Sequence, residues 1–301
     1  MDFGKLNNIE KINFRFPSDH INTSAVLKSA GGNKTEVYIG CPKWGVKEWK
    51  GKIYPNRTHE KDYLKYYALN FNSIELNATH YNLYPQEKIK EWKEKASRKD
   101  FKFCPKFPQL ISHDKKLLEC EELTAIFYAS ISCFGQNLGA SFLQFSQNFG
   151  PENLKILRNY LKTLPAGFTV FVELRHEGWF KEPVLSETFE MLSFYKTGAV
   201  ITDVAGRRDC LHQYLTIPQA FIRFAGNDLH ASDYSRIDEW VQRIKIWMNN
   251  DLQVLYFFIH QPGEIHAPEL AAYMIRQLNL QCGLKLSEPV FIHDPVQGEL
   301  F

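Results

Sequence analysis

The stretch Phe168-Thr-Val-Phe-Val-Glu-Leu-Arg-His-Glu-Gly-Trp-Phe180 decides the fold. Side chains alternate across a strand, so Val170, Val172 and Leu174 share one face while Thr169, Phe171, Glu173 and Arg175 share the other. An all-apolar face seeks helices to pack against. A face that ends in Glu and Arg must meet partners or a ligand, because an unpaired buried charge is too costly to keep.

Working outward, the same kind of run recurs at 36–41, 73–77, 101–106, 140–145, 198–203, 220–225 and 253–260. Helical periodicity fills most of the gaps, over Glu60–Asn70, Gln86–Ala96, Lys116–Gln136, Pro151–Thr163, Val184–Lys196, Arg236–Asn249 and Ala267–Cys282. Only the link 203–220 lacks a helical pattern and reads as a long loop. Eight strands alternating with helices point to parallel βαβ units closed into a (β/α)8, TIM-barrel-like fold. The rival is a doubly wound open sheet. No glycine-rich phosphate loop follows the first strand, which argues against its dinucleotide-binding version. We therefore expect a barrel over 36–285, a polar N-terminal extension over 1–35 that orders only by docking, and a C-terminal tail over 286–301.

In a barrel the inward residues alternate with helix-facing ones, and the working site lies at the C-terminal strand ends. Parity places Glu75 and Asn77 inward on the second strand, Lys102, Cys104 and Lys106 on the third, and Gln144 with Phe142 on the fourth. Arg223 faces in on the seventh strand, and Tyr256, Phe258 and His260 on the eighth, while Asp203 closes the sixth. The expected ring is Asn77, Lys106, Gln144, Arg175, Asp203, Arg223 and His260, with Glu75 and Glu173 one layer below. Packing alone does not need so many hydrogen-bonding strand ends, since buried ion networks stabilise less than apolar packing. Glu173 taken singly also reads as an internal ion-pair partner of Lys106 or Arg223.

The loops add Trp44, Trp49 and Tyr54 after the first strand, Thr79, His80 and Tyr81 after the second, Ser112 and His113 after the third, and His176 and Trp179 after the fifth. The first loop's aromatics read either as pocket walls that stack on a ligand or as a cap on the barrel mouth.

Composition sets the outer bounds. The 301 residues are 44% hydrophobic and carry 23 Phe, 14 Tyr and 6 Trp, ample for a core. A net charge of +2 gives no global footprint for nucleic acid. Six scattered cysteines, without C-x-x-C or finger-like spacing, read as free thiols in a reducing cytoplasm. No signal-peptide pattern opens the chain and no run of about 18 apolar residues occurs, so the expectation is a soluble cytoplasmic protein with no membrane partner.

The order of these pieces resembles the DUF72 (YecE-like) family over about residues 37–275. The marks are Gly40 with Trp44, Trp49-Lys-Gly-Lys-Ile-Tyr-Pro55, Ser73-Ile-Glu-Leu-Asn77 followed by Thr79 and Tyr81, Phe103-Cys-Pro-Lys106, and Ile111-Ser-His113. Leu143-Gln-Phe145, Val172-Glu-Leu-Arg-His176 with Trp179, and Tyr256-Phe257 complete the set. The resemblance implies a TIM-barrel-like fold and brings no established activity. Two departures stand out. His80 lies where the family usually has Phe, and Phe258-Ile259, followed by His260, stands where it usually shows an Asn-Asn pair.

The ring suits an enzyme using acid/base chemistry on a small polar substrate, a sugar, polyol or phosphorylated sugar; hydrolase, isomerase and lyase chemistry all fit. Glu75 and Glu173, on strands two and five, would flank the ligand as base and acid if burial drives their pKa values apart. His113, His176 and Asp203 are further catalytic candidates. Trp44, Asn77, Tyr81, Lys106, Gln144, Arg175, Arg223 and His260 are the candidate substrate-binding residues, the cations holding an anionic group or oxyanion. No cofactor is required. A divalent ion held by Glu75, His113, Glu173, Asp203 and His176 is the variant, opposed by three inward cations and by the lack of a short ligand motif. The alternatives are a metabolite-binding barrel without turnover and a nucleic-acid-binding or processing module. The latter would stack bases on Trp44, Trp49 and Tyr54 beside Lys43, Lys47, Lys50 and Lys52.

Overall fold

A computed structural model describes residues 4–29, 31 and 34–292. In it Val170–Glu173 is β5, buried on both faces, with Phe168 and Thr169 leading in and Arg175 already beyond its end. The remaining strands are β1 (Glu36–Cys41), β2 (Ser73–Leu76), β3 (Lys102–Pro105), β4 (Ser141–Gln144), β6 (Gly198–Asp203), β7 (Gln219–Ala225) and β8 (Val254–His260). All paired neighbours run parallel, in the order β3-β2-β1-β8-β7-β6-β5-β4. The two end strands meet through bridges at Phe103–Leu138 and Lys106–Phe142, so the barrel is nearly closed. Continuous apolar runs such as VFVE and VLYFFIH are what a sheet covered on both sides requires.

Helices wrap the sheet: α1 (Ile21–Lys28), α2 (Tyr63–Asn70), α3 (Ala78–Tyr81), α4 (Gln86–Ala96), α5 (Glu121–Ile131), α6 (Leu154–Thr163), α7 (Val184–Phe194), α8 (Ala231–Met248) and α9 (Ala267–Cys282). α4 and α9 match the sequence expectation residue for residue; α9 stops at Gly283, whose φ of 66° closes it with a left-handed cap. α5 starts late because Lys116, Leu117 and Glu119 adopt positive φ, and its tail beyond Ile131 tightens into a 3-10 turn broken at Gly135. α8 starts five residues earlier than its apolar pattern, at a cap formed by the His230 ring, which accepts from the Ser232 N–H at 3.2 Å. The link 203–220 holds one short 3-10 turn, Arg208–Cys210.

The barrel interior is packed in layers, as the parity reading requires. Tyr38, Cys104, Phe142, Phe171, Val200, Phe221, Tyr256 and Phe258 fill its lower part, with Phe221 at 5.0–5.8 Å from the rings of Phe142, Phe171, Tyr256 and Phe258. Above this apolar plug lie the polar strand ends. Between β1 and β2 the backbones approach so closely that a Cβ on Gly40 would sit 2.0 Å from the Ser73 carbonyl oxygen.

The N-terminal segment contains a helix that its polar sequence does not announce. It is docked through Thr23 to the Gln213 carbonyl at 3.1 Å, through Asn22 to Tyr214 at 2.8 Å, and by His20 stacked on Tyr214 at 3.8 Å. Phe16 packs on Trp240, and Asp19 pairs with Arg243 at 2.5 Å. Of the expected tail, residues 286–292 are described; Val290 N–H donates to Asn70 at 2.8 Å. Residues 293–301 of that tail lie outside the described residues, as do 1–3 of the extension.

Candidate functional site

Strand register brings the polar residues together at one level. Gln144 is level with Glu173 between β4 and β5, and Arg223 is level with Phe258 between β7 and β8, two residue pairs below His260 and Ala225. At the centre is the Arg223 guanidinium. Its Nε and Nη2 donate to both oxygens of Glu75, each at 2.8 Å, and its Nη1 donates to Glu173 at 2.7 Å. Glu75 also accepts from Asn77 at 2.8 Å and lies 3.1 Å from His260 Nε2. Glu173 accepts from Arg175 Nε and from Gln144 Nε2, both at 2.8 Å. Gln144 Oε1 in turn accepts from Lys106 Nζ at 2.7 Å. Eight candidate residues from β2, β3, β4, β5, β7 and β8, or from the positions just after them, form one hydrogen-bonded array.

Electrostatics corrects the roles expected of the two carboxylates. They do not flank an open centre, because Arg223 bridges them. Burial alone would raise both. Arg223 and His260 overcome it at Glu75 and hold that carboxyl well below its usual range, while Arg175 and Arg223 bring Glu173 down to about 2. The pair is therefore not split into an acid and a base. Both are anions near neutral pH, and two guanidinium groups balance them.

Lys106 differs. It is 7% exposed, and the one hydrogen-bond partner of its Nζ among the described residues is the neutral Gln144 amide oxygen. Burial, with Arg223 and Arg175 nearby, lowers its pKa to about 7 against the partial opposition of Glu173 and Glu75. His80 and His113 lie beside Lys106, their rings 5.2 Å apart. Burial and the Lys106 charge depress His80 to about 4 and also lower His113, where Arg175 contributes. His80 Nδ1 lies 2.7 Å from the Phe107 carbonyl, and Thr79 Oγ donates to the Leu76 and Lys106 carbonyls at 2.9 and 2.8 Å. α3 thus fixes the backbone that carries Lys106. His113 sits in a single π-helical turn, Leu110–Asp114, with Ser112 Oγ 2.8 Å from its Nδ1; such turns recur at functional sites.

The sequence from 38 to 290 matches the model of a protein family described as "Protein of unknown function DUF72". The chain belongs to the DUF72 family. It is 31% identical over 254 residues to the UPF0759 protein YecE of Escherichia coli strain K12, covering 78% of this chain and 89% of that protein. To the UPF0759 protein YunF of Bacillus subtilis strain 168 it is 28% identical over 176 residues, covering 56% and 60%. Among solved structures, a DUF72 protein of Enterococcus faecalis V583 aligns with a TM-score of 0.67 at 19% identity, covering 84% of this chain and 98% of that one. One from Thermotoga maritima MSB8 aligns at 0.63 and 24%, covering 81% and 99%. These structures show that the barrel is the DUF72 fold.

Several residues singled out in this DUF72 chain lie away from the array. Asp203 points outward, not into the barrel: it accepts from Trp240 Nε1 at 2.8 Å and pairs with Arg236 at 3.2 Å and with Arg208. Parity gives the reason. Val200 lies in the barrel interior, so Asp203, three residues on, falls on the helix-facing side. The His176 ring accepts from Gly178 N–H at 3.0 Å and caps the short turn after β5. Tyr81, 72% exposed, stands at the rim. Trp44 packs edge-on against Trp92 at 5.5 Å. Trp49, Tyr54 and Trp179 are buried core side chains, so the first two are not surfaces for base stacking, and Lys47 and Lys52 beside them pair with Glu60 and Glu269.

The residues of the metal variant do not converge, and no cluster of three or more metal-ligating side chains occurs among the described residues. All six cysteines are free, and no helix among the described residues is long and apolar enough to cross a membrane.

Parity did not reveal the Gly4–Ile9 segment as a wall of the site. It lines a cavity of about 410 Å³ together with Gly226, Asn227, Gln261, Pro262 and the buried His260. His80 was read as a candidate in the loop after the second strand and as a departure from the family pattern, but not as a neighbour of Lys106.

Proposed function

We propose that this DUF72 protein is an enzyme that moves protons on a small, anionic, polar substrate, of the sugar-phosphate or hydroxy-acid kind, at the C-terminal face of the barrel. One observation carries the reading. Arg223 and Arg175 already balance Glu75 and Glu173, so Lys106 is a buried amine with no carboxylate of its own among the described residues. As an ammonium it adds an uncompensated charge that an anionic ligand would neutralise. As a free amine it is a base of near-neutral pKa, the range in which general acid/base catalysis works best.

On this reading Lys106 and His113 carry protons, Glu75, Glu173 and Arg223 form the rigid charged floor, and Asn77, Arg175 and His260 orient the substrate. The partly exposed positions Asn77, His113 and Arg175 give access from the mouth, and His260 gives access from the 410 Å³ cavity. The basic aromatic loop gives little support to a nucleic-acid reading, because Trp49 and Tyr54 are in the core and Trp44 packs edge-on against Trp92.

Thermal-shift measurements with sugar phosphates, hydroxy acids, uncharged sugars and short oligonucleotides test this. A ligand of the native state at about 100 times its Kd adds about 2.7 kcal/mol of stability. We expect an anionic small molecule to raise Tm in the native protein and not in a folded Lys106→Met variant. A salt-sensitive oligonucleotide shift that survives Lys106→Met, with no small-molecule shift, would overturn the proposal.

A further inference from the structure

We infer that Lys106 is a covalent catalytic residue that forms an imine with the carbonyl carbon of a small aldehyde or ketone bearing a phosphate or carboxylate group. This rests on the proposed enzyme reading and narrows its substrate class.

Three features of the geometry point there. First, Lys106 Nζ is the inward, strand-end amine of β3, fixed by a single neutral acceptor, Gln144 Oε1 at 2.7 Å. A lysine serving only to hold the fold would be expected to pair with a carboxylate. Here Glu75 and Glu173 are both taken by arginines. Second, its backbone is clamped on both sides: Thr79 Oγ donates to the Lys106 carbonyl, and His80 lies 2.7 Å from that of Phe107. The stem therefore starts from a rigid strand end, as a positioned nucleophile requires. Third, the groups facing it are Arg175 and Arg223, Glu75 and Glu173, and the half-buried His113 with buried His80. The cationic and desolvated side of that set favours the unprotonated amine, in the way that activates a lysine toward carbonyls.

The step balances without an external redox partner. The Nζ lone pair attacks the carbonyl carbon and forms a C–N bond, while the carbonyl π pair moves to oxygen, which takes a proton. The nitrogen loses a proton to a neighbouring base, a role we assign to His113, which lies near enough to feel the Lys106 charge. The resulting carbinolamine expels its hydroxyl as water and becomes the C=N imine. Amine plus carbonyl gives imine plus water. Protonated, the imine is an electron sink that acidifies the adjacent C–H, which unites the isomerase and lyase readings of the site. Arg175 at the mouth suits the anionic end of such a substrate.

The test is reductive trapping. The full chain is incubated with dihydroxyacetone phosphate, glyoxylate or pyruvate in sodium cyanoborohydride at pH 7.5, digested, and mapped by mass spectrometry. We expect a reduced adduct on Lys106 ahead of all other lysines. A shift from the ordinary 10.5 to about 7 makes its free-base fraction on the order of a hundredfold or more larger than theirs at this pH. The site-specific adduct should vanish in Lys106→Arg and Lys106→Met, both checked for folding by melting temperature, and should survive in Lys102→Arg, whose ammonium lies lower in the barrel over Tyr38.

Labelling spread over surface lysines, with none favouring Lys106, overturns the imine. If sn-glycerol 3-phosphate, which has no carbonyl, still raises Tm in a Lys106-dependent way, the broader enzyme proposal stands without it. Absence of both adduct and shift removes both.

Discussion

At the scale of single residues, the site is defined by which charges are matched. Arg223, Glu75, Glu173 and Arg175 form a closed set of two cations and two anions, and Lys106 is left over. This has a consequence for stability. In the folded chain Lys106 gives up its proton at about 7, whereas the unfolded chain keeps it up to the ordinary value near 10.5. Between these values the unfolded state binds more protons, so stability rises with pH across that window; below about pH 7 the folded state bears the full cost of the buried ammonium. Lys106→Met should therefore be more stable than the parent at pH 6, and its stability curve should be flatter between pH 7 and 10. Denaturant unfolding at a series of pH values measures this, and parallel curves for the two proteins would contradict it.

Elements explain why these residues meet. The alternation in β5, β7 and β8 was legible because each strand interleaves bulky apolar residues with one polar end. Glu173, Arg223 and His260 accordingly point where parity puts them. Asp203 was misplaced because it was taken as the inward end of GAVITD, whereas Thr202 shares the interior face with Val200, and Asp203 falls with Ala199 and Ile201 on the helix-facing side. The late start of α5 was equally hidden, since positive φ at Lys116, Leu117 and Glu119 comes from packing and not from glycine. At this scale the tightest element contact is between β1 and β2. A methyl group at Gly40 would meet the Ser73 carbonyl oxygen at 2.0 Å, a backbone atom that cannot swing aside. Gly40→Ala should lower Tm by roughly ten degrees or more, or abolish soluble expression, as overpacking against a rigid wall does. A calorimetric Tm within about two degrees of the parent would show that the strands can separate without loss.

For the whole molecule, the N-terminal segment belongs to the barrel's structure more closely than its polarity suggests. Arg208 donates to the Phe14 carbonyl at 2.9 Å, and the Arg236 guanidinium lies 4.8 Å from the Phe14 ring centroid, so the outward Asp203 cluster holds the segment from beneath. Gly206 N–H donates to the Gly4 carbonyl at 2.8 Å, and residues 4–9 then wall the cavity that reaches His260. Removing residues 1–29 should lower Tm by roughly five degrees or more, since Phe16 and Asp19 leave the buried Trp240 and Trp247, and should weaken any ligand seated against His260. A truncated chain with unchanged Tm and unchanged ligand shift would show that the segment is merely laid on the surface.

The sequence by itself determined the barrel, the inward strand ends other than that of the sixth strand, and the family, because these depend on local periodicity and short motifs, which the covalent order carries directly. Only the tertiary structure decided that Arg223 bridges the two carboxylates, that Lys106 has no carboxylate partner among the described residues, and that Asp203 and the aromatic loop belong to the outer packing. Those facts depend on distances between strands far apart in the chain. At such distances a shift of a few ångströms, or one residue of register, separates a matched buried charge from a reactive one.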